Sequence, residues 1–191
     1  MKTKKSDTYS FTITLPDWTT AFLQSRPVTY TTIEQRMQLA IELSRLNVEH
    51  RTGGPFGAAV FDNQNGNLIS VGVNVVVASR CSIAHAEMTA IALAQQTLAT
   101  HNPAAKGNFH LVSSCQPCAM CLGAIGWAGM KSLVCGARGE DAEAVGFDEG
   151  TKPADWVKEL QTRGIEVTLD ILRAEAKAVL DTYKSANGII Y

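Results

Sequence analysis

Little in this sequence runs to an extreme, and each shortage removes a class of protein. Charged residues make up 18% of its 191 positions, and 17 Lys and Arg against 18 Asp and Glu leave a formal net charge of −1. A chain that grips nucleic acid through many phosphates carries a basic excess. The balance here argues against a nucleic-acid partner and for a small neutral one. No apolar run approaches the roughly 20 residues of a membrane-spanning helix. The polar, basic start from Met1 to Ser10 leads into Phe11 to Leu15, which is too short and too rich in Thr for a signal-peptide core. The expectation is a cytoplasmic protein with no membrane attachment. Internal repeats and low-complexity linkers are lacking as well. The cysteines number five, and three of them (Cys115, Cys118 and Cys121) fall within seven residues. In a reducing compartment such clustering points to metal binding or catalysis, not to a disulfide framework.

What is present suits a globular domain: 46% of the residues are apolar, enough for a sizeable core. Residues 1–30 show no clear period and read as an extension packed on the domain, which then occupies 31–191. Thr31 and Glu34 form a capping-box pattern, and Ile33, Met37, Ala40, Ile41 and Leu43 to Leu46 follow at helical spacing, which predicts a helix to about Glu49. Gly53, Gly54 and Pro55 end it. Phe56–Phe61 and Leu68–Val77 flank an Asn-Gly and read as a hairpin. A helix from Ala84 to about Thr100, a buried strand at Phe109–Ser113, a helix opening at Pro117 and a strand at Lys131–Gly136 come next. Ala137–Thr151 is acidic and Gly-rich and reads as a loop. A short helix from Pro153, a strand at Ile165–Leu169 and a helix from about Arg173 to Lys184 complete the chain. This order predicts an α/β fold in three layers, α/β/α, with a mixed central sheet of about five strands.

The chemistry concentrates at two predicted helix starts. His85-Ala86-Glu87 opens one, and Pro117-Cys118-Ala119-Met120-Cys121 opens the next. Cys118 and Cys121, three apart, lie on one side of a helical turn. The positive end of the helix dipole favours the thiolate, the form that binds metal. With His85 they make three ligands for Zn2+, which leaves a tetrahedral zinc one position for water, the catalytic arrangement. Glu87 lies about 200° around an ideal helix from His85. Near the helix mouth it can sit beside that water as a proton shuttle. The pairing of H-x-E with P-C-x-x-C matches the signature of zinc-dependent deaminases.

At this level the chain resembles the small bacterial guanine deaminases of the cytidine deaminase-like fold. The resemblance covers roughly residues 35–150 and the extreme C-terminus. It is carried by Gly53-Gly54-Pro55-Phe56-Gly57-Ala58, Asn74, Ala84 to Glu87, Pro117 to Ala128, Ala144-Val145-Gly146-Phe147-Asp148-Glu149 and the terminal Tyr191. It implies zinc-dependent hydrolysis of guanine to xanthine and ammonia, with one zinc per subunit. It also implies that Phe56 stacks on the base, that Asn74 hydrogen-bonds it, and that the backbone of Ala86 and the ring of Trp127 line the pocket. Glu149 is then the second acidic residue, and Tyr191 reaches the site of a neighbouring subunit in a swapped homodimer. The chemistry agrees: the N1–H and N2 amine of guanine form a donor edge that calls for an acceptor such as Glu149, and Asn74 suits the opposite edge.

Several alternatives stay open at this point. Glu143 shares the acidic loop and rivals Glu149. Cys115 as a fourth ligand would close the site and make it structural, and a lone C-x-x-C can be redox-active. Another base or nucleoside (cytosine, cytidine, a tRNA adenosine) fits the same fold, and an aminotriazine such as ammeline resembles half of guanine. A zinc-stabilised binding module without turnover is the reading from a different class.

Overall fold

The computed structural model describes residues 10–191; the first nine residues of the N-terminal extension lie outside it. Five strands form one sheet in the order β2-β1-β3-β4-β5. The hairpin is β1 (Gly57–Asp62) and β2 (Leu68–Val73), joined through the Asn65-Gly66 turn with Gly66 at φ 75°. β3 (Phe109–Cys115) pairs antiparallel with β1 and parallel with β4 (Ser132–Ala137), which pairs parallel with β5 (Glu166–Thr168). The sheet is therefore mixed, as expected.

Strand residues alternate between two separate cores. Ala59, Phe61, Val112 and Val134 face one way, into a core shared with α2 (Ile33–Glu49), α6 (Gly139–Val145) and α8 (Arg173–Ser185). Ala58, Val60, Leu111 and Leu133 face the other way, against α4 (Ala86–Thr97), α5 (Ala119–Trp127) and α7 (Trp156–Thr162). Period-two alternation with both faces apolar gives the three layers. Two short helices, α1 (Trp18–Gln24) and α3 (Val76–Ser79), and a 3-10 turn at Pro103–Ala105 complete the element order. Ile13, Leu15, Trp18, Phe22 and Leu23 of the extension pack against the first core. No helix among the described residues is long and apolar enough to cross a membrane.

Three local expectations are corrected. The capping box of α2 is Thr32 with Gln35, one register later than Thr31 with Glu34: Thr32 accepts from Gln35 N, and the Gln35 side chain accepts from Thr31 N and Thr32 N. Both pairs have the required spacing, and Ile33 as first helical residue selects the second. Within the stretch read as a loop, residues 139–145 form α6. Its acidic residues Glu140 and Asp141 sit in the first turn, where the helix dipole favours them. Asp141 accepts from Arg138 N at 2.8 Å, and Gly146, at φ 114°, ends the helix. The second hairpin run stops at Val73, and its last residues turn into α3.

Candidate active site

The helices α4 and α5 start side by side at one end of the sheet. His85 is the N-cap of α4 and Cys118 the N-cap of α5; both have extended backbone (φ −73°, ψ 160° and φ −65°, ψ 172°). Neither side chain caps its own helix. This resolves the angular conflict between His85 and Glu87. His85 stands outside the helix, so its ring swings toward α5, and Glu87, within the first turn, approaches from the helix itself.

The donor atoms fit zinc. His85 Nδ1 lies 3.5 Å from Cys118 Sγ and 3.6 Å from Cys121 Sγ, and all three lie within 4.8 Å of one another. Zn–N of 2.0–2.1 Å and Zn–S of 2.3 Å at the tetrahedral angle predict an N···S edge of about 3.6 Å. Among the described residues this is the one group of three or more His, Cys, Asp or Glu side chains so arranged. Cys115 is not part of it: the buried thiol donates to the carbonyl of Arg138 at 3.5 Å. As free thiols, the two ligand cysteines are coupled. The hydrogen bond with Cys121 pulls the Cys118 thiol down to about 4, with His85 helping, while the Cys121 thiol is pushed up.

A pocket of about 300 Å³ opens beside these donors, at the small end of the range for ligand sites. Glu87, Glu149, Phe56, Asn74 and Tyr191 all line it. Glu87 is 6% exposed; burial raises its carboxyl above the ordinary range, and Ser113 Oγ donates to its Oε1 at 3.2 Å. Glu149 is also buried, and burial pushes it up to about 7 against the opposing pull of Lys152. Glu143, by contrast, is exposed on α6 and off the pocket.

Asn74 continues β2, and α2 holds it in place: Asn47 Nδ2 donates at 2.8 Å both to the Asn74 carbonyl and to that of Gly54. A Cβ at Gly53 would collide with the Asn74 carbonyl, so this close approach requires glycine. The Asn74 side-chain oxygen accepts from Val76 N at 3.3 Å, while the buried Nδ2 makes no full hydrogen bond, with the Tyr191 hydroxyl as its polar neighbour. A buried donor of that kind is costly unless a ligand completes it. Phe56 meets Phe147 edge-on at 4.8 Å.

Trp127 does not join the pocket of its own chain. It is 86% exposed at the far end of α5, a nine-residue helix about 13 Å long that begins at the metal donors. Ala86, whose backbone the resemblance puts on the pocket wall, is fully buried at the start of α4 with its methyl in the second core. Tyr191 enters the pocket of its own chain, its ring 5.5 Å from Phe147 and 6.4 Å from His85. Ser113, Gln116 and Lys152 were not singled out from sequence. Each stands by its partners only once β3 and the loop after α6 are in position.

Fold, donor triad and buried glutamate define a zinc deaminase domain. Residues 30–137 match the family described as the cytidine and deoxycytidylate deaminase zinc-binding region, and the chain belongs to that family. Within it, the chain is 39% identical over 116 residues to the guanine deaminase of Bacillus subtilis (strain 168), covering 61% of this chain and 71% of that protein. It is 45% identical to the guanine deaminase from Nitrosomonas europaea, with a TM-score of 0.87 over 92% of this chain and 97% of that one. The structure of NE0047 in complex with 2,6-diaminopurine shows 46% identity and a TM-score of 0.89, over 95% and 96% of the two chains.

Proposed function

We propose that this protein catalyses the hydrolytic deamination of guanine to xanthine and ammonia. The observation that carries the reading is a second buried carboxylate, Glu149, in the same small pocket as Glu87 and the three-donor cluster. The guanine deaminases among its relatives support it. Held by His85, Cys118 and Cys121, zinc supplies a Lewis acid that acidifies water and so provides a nucleophile at neutral pH.

The chain's own residues do the rest. The Phe56 ring, set edge-on to Phe147, packs against the purine. Asn74 Nδ2 donates to an acceptor of the base and thereby gains the partner it lacks. Glu149 accepts from the N1–H and N2 edge, which aims C2 at the nucleophile. Glu87 takes a proton from the attacking water and passes it to the ring nitrogen beside C2. The C2–O bond forms; the new hydroxyl then gives up its proton, which Glu149 relays to the amine, and as the C2–N bond breaks C2=O remains and ammonia leaves. Tyr191 closes the pocket from the tail. Bases whose edge presents acceptors where guanine presents donors leave Glu149 facing another acceptor, and unpaired buried polar groups discriminate strongly. Ammeline repeats half of the guanine edge and is a secondary substrate on this reading. The near-zero net charge supports a free base over a nucleic acid, and the exposed Val77, Ile83 and Trp127 support a homodimer.

The test is ammonia release by the zinc-loaded protein against guanine, adenine, cytosine, cytidine, guanosine and ammeline. Guanine should lead; cytosine or a nucleoside in first place would overturn the assignment below the family level.

A further inference from the structure

The group that aims Glu149 lies behind the pocket wall. Lys152, two residues past Gly150, has a side chain only 14% exposed. Its ammonium donates at 3.1 Å to Glu149 Oε2 and at 3.1 Å to the carbonyl of Pro117, the residue before the metal donor Cys118. The backbone is tied at the same point, because Ala119 N donates to the Glu149 carbonyl at 2.9 Å. Space for the pair comes from Gly139, at the start of α6. A Cβ there would come within 3.0 Å of Lys152 Nζ and 3.7 Å of Glu149 Oε2. Of the charged groups acting most strongly on the Glu149 carboxyl (Lys152, Cys118 and Glu87), Lys152 alone is a cation. Lys152 is not among the residues that line the pocket.

We propose that Lys152 is a positioning residue for the deamination: it holds Oε2 of Glu149 from behind, leaves the other carboxylate oxygen to the donor edge of the base, and acts on the reaction only through Glu149. A buried ion pair adds little net stability, since desolvation offsets its Coulombic attraction. What it supplies is a fixed direction for a carboxylate that would otherwise rotate and take up a proton. The two hydrogen bonds make this a clamp, tying the Glu149 loop to the start of α5 and so to the donor cluster. The inference rests on the role of Glu149 in the reading above.

A double-mutant cycle tests it, with Lys152→Met and Glu149→Gln alone and together. Ammonia release from guanine, zinc content and thermal unfolding are measured for each protein. Lys152→Met alone should lower kcat by roughly ten- to a hundredfold, the range for a lost charge-assisted hydrogen bond, with a smaller change in KM and zinc retained. In the Glu149→Gln background the same substitution should cause no further loss. Lys152→Arg should recover part of the activity, and Lys152→Gln takes the place of the methionine variant in the cycle if that one does not fold. Losses that multiply across the two sites would overturn the proposal, as would zinc lost with Lys152→Met, because the tether to Pro117 would then be acting through Cys118. A Glu149→Gln protein that turns over guanine at the wild-type rate would instead remove the catalytic assignment of Glu149 itself, an outcome visible without any Lys152 variant.

Discussion

Replacing Ser113 by alanine isolates one contact of the glutamate proposed as proton shuttle. Ser113 lies in the middle of β3 and is 1% exposed, and its hydroxyl is 3.2 Å from Glu87 Oε1. Alanine removes that hydroxyl and leaves almost no cavity, so the fold should hold, with stability lowered by about 1–2 kcal/mol for the buried carboxyl left short of a donor. The effect falls on Glu87, whose carboxylate loses a donor while still buried and is freer to leave its place beside the donor cluster. A hydrogen bond to a charged group contributes about 1.5–3 kcal/mol. A 3.2 Å contact is long for O–H···O, so the lower figure applies, and about 1.4 kcal/mol corresponds to a tenfold rate. The expected result is a kcat for guanine lower by about tenfold, with one zinc per chain and a melting temperature lower by only a few degrees, about 2–4 °C per kcal/mol. Steady-state ammonia release, metal analysis and calorimetry read the three quantities. Wild-type kcat in a folded, zinc-loaded Ser113→Ala protein would refute the reasoning, because Glu87 would then need no support from β3.

Cys118→Ser should abolish stoichiometric zinc, measured by plasma mass spectrometry, and guanine turnover with it. It should also lower the melting temperature, since a ligand bound only to the folded state stabilises it. Asp141→Ala should destabilise the protein by roughly 1–3 kcal/mol in urea titrations. It removes both the acceptor for Arg138 N and the pair with Arg173 at 2.9 and 3.0 Å, while zinc binding is unaffected. His110 gives a pH dependence. Burial first, and the Arg36 charge second, lower its pKa to about 4, and both ring nitrogens lack partners. The unfolded chain takes up this proton near pH 6.5 and the folded one only near 4. Stability from this site is therefore present above about pH 6.5 and lost as the pH falls toward 4, by on the order of 1–2 kcal/mol after allowance for solvent screening. Melting temperatures from pH 7 to 4.5 should fall less steeply for His110→Gln; equal slopes would contradict this origin.

The metal donors were readable in the chain because their geometry is local. Cys118 and Cys121 are one turn apart, and the cap position that frees His85 is marked by the start of an apolar helix. The hairpin was equally plain from Asn65-Gly66 between two apolar runs. Where local rules allow two answers, tertiary context chose. The acidic residues of 139–145 suit a loop by composition, yet at a helix start they are stabilising, and Arg173 from α8 fixes Asp141 there. Capping at Thr31 and at Thr32 differ by one residue, and neither spacing alone distinguishes them. Trp127 and Tyr191 show a different limit. The motif resemblance puts Trp127 on the pocket and Tyr191 in a neighbouring subunit's site, whereas within one chain the length of α5 carries Trp127 away from the pocket and the turn after α8 brings Tyr191 in. Ser113 had no sequence signal, since its partner Glu87 is 26 positions away; Lys152 is three residues from Glu149, but nothing in the chain shows the burial of the pair or the tether to Pro117, 35 positions away.

Glu87→Gln puts the central claim to its most direct test, with native mass spectrometry for the metal and ammonia release from guanine on the same preparation. The substitution keeps the size of the side chain and removes its capacity to carry a proton. The protein should retain one zinc per chain and lose turnover by roughly a hundred- to ten-thousandfold, the contribution of general acid–base catalysis. Turnover near the wild-type rate in the zinc-loaded variant, or a wild-type protein that holds no zinc at His85, Cys118 and Cys121, would contradict the account.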